Sequence, residues 1–208
     1  MSEPDSPATG EGNADDPVIN IRGERVGLGP LDSSLLPLIV RWQNDFTTDV
    51  LRGNTPQPSS RSAIEALWEP LIAGQRPDWI GFAIYELATN RPIGILNVRD
   101  YVNPNRTAEF GISIGDPADR GKGYGSEATI LLLGYAYDFL GVHNVWLDTL
   151  ASNLGAIRAY ERAGFRRIGV RREAHRIGDH AEDVVLMDCL RTDFRALGGA
   201  ESPAQASG

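Results

Sequence analysis

The sequence predicts an α+β domain: a mixed, mostly antiparallel sheet flanked by helices. Three observations carry that expectation. The chain has 208 residues of which 41% are apolar, enough for one core and no need of disulfides or structural metals to hold it. Between Trp79 and Ile114 three apolar stretches are separated by turn-forming residues, the pattern of an antiparallel meander. After Gly115 the hydrophobic period alternates between helix and strand, so strand, helix, strand, helix, strand follow one another.

Taken in order, residues 1–17 are Pro, Gly, Ser and acids with few large apolar groups. Such a segment cannot offset its own ordering entropy and is expected to be disordered, as is 198–208. The folded domain is expected over 18–197. Val18 to Leu28 reads as a strand or hairpin. Asp32 is an N-cap for a helix carrying Leu35, Leu36, Leu38, Ile39 and Trp42, and Ser59 or Ser60 opens a second with Ile64, Leu67, Trp68 and Leu71 as its stripe. Trp79–Leu87 and Ile93–Tyr101 are strands joined by a turn at 88–92. After a turn at Asn103-Pro104-Asn105 comes a strand with Ala108, Phe110, Ile112 and Ile114 on one face. Gly123 to Leu140 is a long helix and Asn144 to Leu150 a short apolar strand. Asn153 to Ala163 is a helix stopped by Gly164, a good C′ residue. Phe165–Arg171 and Asp183–Leu190 close the sheet through a turn at Gly178-Asp179. The strands holding Ile112 and Val145 are joined by a helix and are therefore parallel if adjacent.

Charge and cysteine content narrow the function. The net charge is −8, and the first seventeen residues hold five acids and no base. A duplex-binding face needs surplus cations to displace condensed counterions, so nucleic acid is not expected as a partner. The one cysteine, Cys189, rules out an internal disulfide and any multi-cysteine zinc site. His143, His175 and His180 lack metal-ligand spacing, so no metal is expected, and Cys189 reads as a small core residue. No apolar run approaches the ~20 residues of a membrane span, and no basic n-region precedes an apolar h-region near Met1, so no signal peptide is expected. A cytoplasmic protein with no membrane partner is the expectation.

The segment with the most chemistry is Arg120-Gly121-Lys122-Gly123-Tyr124-Gly125-Ser126, at a strand-to-helix junction. Alternate glycines let the chain turn sharply and leave its N–H groups unshielded. With the positive end of a helix dipole behind them, these groups make a nest for phosphate oxygens. Arg120 is placed to add a charge-assisted bond at its rim. The loop is not a Walker loop, because Lys122 lacks the upstream glycine spacing and has no Ser/Thr behind it. It is not the dinucleotide fingerprint either, since Ser126 stands at the third glycine position.

This stretch resembles the Arg/Gln-x-x-Gly-x-Gly/Ala motif of the GNAT acetyltransferase superfamily. Asn153, Ala156, Tyr160 and Gly164-Phe165 resemble its second signature, Asn-x-x-Ala-x-x-x-Tyr-x-x-x-Gly-Phe. Trp42-Gln43-Asn44-Asp45 resembles the opening of the RimJ/RimL-like branch. The resemblance covers about 20–195. Gly155 departs from it only in weakening the first turn of a helix.

The resemblance implies a sheet splayed into a V between the Glu109 and Trp146 strands. Acetyl-CoA would be the cosubstrate, with pantetheine pairing near Ser113 and Ile114 and the pyrophosphate on Gly121 to Ser126. It further implies Tyr160 as proton donor to the leaving thiolate, Glu109 as base, directly or through water, and Asn153 as a contact to the pantetheine arm. Each residue has a plainer reading too: Tyr160 as a packed helix tyrosine, Glu109 in a polar strand pair, Asn153 as an N-cap. The acceptor would be a primary amine, small molecule or peptide: a protein N-terminus, a polyamine, an aminoglycoside-like compound or an amino sugar. Its choice would fall to residues 44–60 and the turn near Gly178. Asp45 and Asp49 in that segment read either as attractors of a cationic acceptor or as solvated loop acids. A homodimer is compatible with the resemblance. The competing classes are a non-catalytic acyl-CoA sensor and a nucleotide-binding module; the latter lacks a Mg²⁺ carboxylate pair.

Overall fold

The computed structural model describes residues 16–198; the tail expectations for 1–15 and 199–208 fall outside them. Asp16 is already tied down, its carboxylate accepting from Asn90 Nδ2 at 2.9 Å. One eight-stranded sheet runs in the order β1-β2-β3-β4-β5-β6-β8-β7. The strands are β1 (Ile21–Arg22), β2 (Val26–Pro30), β3 (Trp79–Glu86), β4 (Arg91–Arg99), β5 (Thr107–Ile114), β6 (Asn144–Leu150), β7 (Arg166–Ile177) and β8 (His180–Leu190). All neighbours are antiparallel except β5 and β6. The meander, the parallel step and the closing pair follow the expected order. The last two strands run further, with β7 reaching Ile177 at the Gly178 turn.

Side-chain alternation along the strands divides the core in two. Phe82 and Ile84 of β3 face a cluster with α4 (Tyr124–Asp138), α5 (Leu154–Ala163) and α6 (Arg191–Ala196). Ala83 and Tyr85 face the opposite cluster, with α1 (Leu36–Gln43) and α3 (Arg61–Ile72). Ile84, Leu96, Leu132 and Ile157 are essentially inaccessible, each contributing about 2 kcal/mol by removing apolar area from water.

Helix starts follow the cap chemistry. Ser60 Oγ accepts from Ala63 N–H at 3.2 Å to open α3. Asp32 caps a 3-10 turn, Ser33–Leu35, that leads into α1 rather than capping α1 itself. One stripe assignment fails: Leu67 is 60% exposed, since α3 turns Ile64 and Trp68 into the core instead. A further helix, α2 (Phe46–Leu51), lies in the segment read as loop. Asp45 caps it, accepting from Thr47 N–H at 3.1 Å.

Candidate active site

Parallel pairing of β5 with β6 lasts three residues, Thr107 to Glu109 against Asn144 to Trp146. Both strands continue, β5 on its β4 side to Ile114 and β6 on its β8 side to Leu150. Beyond Glu109 the two therefore diverge, leaving a gap with unpaired strand edges. Gly115 N–H bonds Ile93 on the β4 side, while the Ile114 carbonyl is reached by the Arg120 side chain. By strand alternation, the main-chain groups of Ile112 and Ile114 face the gap. The residue after β5 must be a glycine, since an added Cβ at Gly115 would lie 2.1 Å from the Trp42 ring; Trp42 is core, 5% exposed.

At the gap's mouth the chain turns through Asp116, which caps a short 3-10 turn, into the glycine loop. Gly121 and Gly123 have φ of 74° and 86°, left-handed values that cost a side-chain-bearing residue about 1 kcal/mol or more. Gly123 is the N-cap of α4, so the free N–H groups of its first turn and the positive end of its dipole open onto the loop. A Cβ at Gly121 would meet nothing within 4 Å: the cradle is open on that side, as an anion site must be.

The loop is braced by charge. Asp119 is 3% exposed and takes two bonds from Arg91, at 2.7 and 2.9 Å, and one from Lys122 at 3.2 Å. The Arg91 bonds hold its carboxyl below the ordinary carboxylate range. Tyr124 donates to Glu86, which raises the phenol's pKa, and its ring lies under the Arg25 and Lys122 cations, each 5.8 Å from the centroid. Ser126 Oγ donates to the Ala159 carbonyl and accepts from Arg162.

The Arg120 side chain is not at the rim of the nest. It turns inward, donating to Thr48 Oγ1 at 2.5 Å and to the carbonyls of Ile114 and Gly115 at 3.3 to 3.5 Å, and so fastens α2 to the end of β5. Arg52, just after α2, reaches across to Ser113, its Nε donating to Oγ at 3.2 Å, and pairs with Asp49 at 3.3 Å. Burial lowers the Arg52 pKa. Asp49 is 8% exposed, and Asp45 is spent on the cap. Neither is a solvated loop acid.

Tyr160 projects from α5 against Phe110 (centroids 6.0 Å, edge to face) and Phe165 (5.8 Å). Burial, with Asp148 nearby, pushes its phenol up to about 12, so it holds its proton throughout the physiological range. Glu109 lies on the face opposite Phe110, ion-paired through Oε1 with Arg99, its partner in register on β4. Asn153 caps α5 through Ala156 N–H (3.2 Å) and donates to the Leu51 carbonyl (3.1 Å), joining α5 to α2. His175, set aside in the sequence, lies beside Leu150 and the Gly53 turn, and its Nε2 is buried without a partner among the described residues.

Ser113 and Ile114 thus lie on the strand that borders the gap, with the glycine loop following it, while Asn153 meets α2 at Leu51. A hollow of about 550 Å³ elsewhere, with Leu31, Trp79 and Phe139 in its walls, holds no carboxylate, imidazole or cation. Among the described residues no group of three His, Cys, Asp or Glu could hold a metal, and no helix is long and apolar enough to cross a membrane.

A mixed sheet parted beside a glycine nest at a helix N-terminus is the architecture of the GNAT class. A family model described as "Acetyltransferase (GNAT) domain" matches residues 25–166, and the chain belongs to that family. It is 31% identical over 113 residues to a protein of Bacillus subtilis (strain 168) named "Probable N-acetyltransferase YjcK"; the match spans 54% of this chain and 62% of that protein. Among solved structures, the spermidine N-acetyltransferase of Vibrio cholerae, in complex with CoA and spermine, superposes with a TM-score of 0.74 at 24% identity. That match covers 82% of this chain and 98% of the other. A GNAT-family acetyltransferase from Bacillus anthracis gives 0.70 at 18%, covering 82% and 97%. At these identities the structural matches establish the shared fold.

Proposed function

We propose that this chain transfers the acetyl group of acetyl-CoA to a primary amine, by direct attack within a ternary complex. The observation that carries the reading is the gap itself: the edges of β5 and β6 part beyond Glu109 next to a nest whose Gly121 and Gly123 have left-handed backbone. Gly121 to Ser126 would hold the diphosphate, and the edge of β5 near Ser113 and Ile114 would pair with the pantetheine arm. N–H groups at the divergence would stabilise the developing oxyanion.

An amine acceptor is mostly protonated at neutral pH and must lose a proton before attack. Glu109 Oε1 is paired with Arg99, so Oε2 is the oxygen we assign to take that proton, through a bridging water. Tyr160 keeps its O–H as a donor to the leaving sulfur. Cys189 is fully buried and its thiol is pushed up by burial, so a covalent acetyl-cysteine step has no accessible nucleophile there. The acceptor is proposed to enter from the face carrying α2, between the Arg52–Gly53 turn and β6. The Trp42–Asp45 segment supports a RimJ/RimL-like branch, whereas the Vibrio protein, crystallised with spermine, makes polyamines the first alternative to peptide amines.

The test is calorimetric titration with CoA, followed by acetyl-CoA turnover against spermidine, N-terminal peptides, aminoglycosides and amino sugars. CoA binding with turnover of one class is expected. CoA binding without turnover on any amine would favour a sensor. In the Glu109→Gln variant, the acidic limb of the pH profile of kcat/KM should flatten; an unchanged limb would move the base to another group, with His175 Nε2 the next to examine.

A further inference from the structure

Two guanidiniums that stand at no defined position of either signature, Arg25 outside both and Arg162 at a variable position of the second, approach the nest from the β1–β2 turn and from α5. Arg25 sits on the turn between β1 and β2. Its Nε donates to Glu127 Oε2 at 3.0 Å, and its Nη1 donates to the Lys122 carbonyl at 2.8 Å. Glu127 Oε1 also accepts the main-chain N–H groups of Arg25 and Val26, at 2.8 and 3.2 Å. This carboxylate therefore fixes both the hairpin turn and the direction of the side chain. The guanidinium lies over the first turn of α4, with Nη2 only 2.9 Å from where a Cβ on Gly123 would stand. Nη2 itself donates to no protein atom among the described residues, and the side chain is 53% exposed. From the other side Arg162 of α5 reaches Ser126 Oγ with Nε and Nη2, at 3.4 and 3.3 Å. Arg162 makes no ion pair among the described residues, whereas Lys122 is held by Asp119.

We propose that Arg25 and Arg162 form a two-sided clamp on the diphosphate of the donor, Arg25 closing over the nest from the β1–β2 hairpin and Arg162 from α5. This rests on the reading of the donor as acyl-CoA. Main-chain N–H groups position a phosphate but carry no net charge. A guanidinium adds charge-assisted bonds to its oxygens. The hairpin, which carries no signature residue, thereby becomes part of the donor site.

The test is calorimetry on the full chain with CoA, with dephospho-CoA, which keeps the diphosphate, and with acetyl-pantetheine, which has no phosphate. The variants are Arg162→Gln and the double variant Arg25→Gln with Glu127→Gln; the second change avoids leaving a carboxylate without its partner. Thermal melts check that both fold. Each variant should bind CoA and dephospho-CoA about 10- to 100-fold more weakly than wild type, with acetyl-pantetheine binding unchanged. Folded variants that bind CoA within about twofold of wild type would overturn the clamp and leave the donor assignment intact. So would a loss that vanishes with dephospho-CoA. A wild-type chain that binds no CoA at all would instead overturn the donor assignment.

Discussion

Tyr160 shows how a single side chain's environment sets its chemistry. Packed on Phe110 and Phe165 and desolvated, it is a donor that keeps its proton at physiological pH. Tyr160→Phe keeps the packing and removes only the O–H. We expect kcat to fall about 100- to 10,000-fold, the usual span of general-acid effects, with the CoA dissociation constant unchanged; stopped-flow turnover and calorimetry read the two separately. Equal turnover would reduce Tyr160 to a core ring. Both tyrosine and strand carboxylate were legible as positions in the sequence. The Arg99 partner of Glu109 was not, because it is set by the β4–β5 register and not by spacing along one strand.

At the scale of elements, the decisive contacts are those that hold α2 against the gap. Asn153 caps α5 and donates to Leu51, Arg120 donates to Thr48, and Arg52 to Ser113. The two roles of Asn153 are separable. Asn153→Asp keeps the oxygen that caps α5 and removes the amide that reaches Leu51, whereas Asn153→Ala removes both. The alanine variant should lose about 1 kcal/mol of stability in a urea titration. The aspartate variant should stay near wild type yet show faster amide exchange across Phe46–Leu51. Equal exchange in both variants and wild type would remove the tether. The helix itself escaped sequence reading because six residues hold too few turns to display a period, and its acids looked like loop acids although their partners are local, Thr47 and Thr48 for Asp45 and Arg52 for Asp49.

Across the whole molecule, Asp119 links β4 to the nest loop. Its carboxyl is held low chiefly by Arg91, so it stabilises the fold fully above the unfolded carboxylate pKa of about 4. That contribution is lost as pH falls through the lower folded value. Asp119→Asn should therefore lower Tm at pH 7 by about 3–8 °C, corresponding to about 1–3 kcal/mol, and the difference from wild type should shrink below about pH 4. A constant difference at all pH values would assign the loss to packing.

The succession of strands and of the longer helices, and the glycine turn before α4, were determined by the sequence alone, since each depends on residues close together in the chain: alternation, cap residues, a turn that needs left-handed backbone. That the β5 and β6 strands lie side by side, and so run parallel, was settled by the sheet. The tertiary structure decided which charges meet. Arg25 lies 102 residues from Glu127, and Arg162 lies 36 from Ser126. The inward turn of Arg120 and the burial of Asp49 likewise follow from packing α2 over the open end of the strand pair. A local pattern encodes the conformation of its own segment. The neighbour an ionised side chain finds is set by topology and register, through desolvation and Coulomb energies that exist only once distant segments have come together.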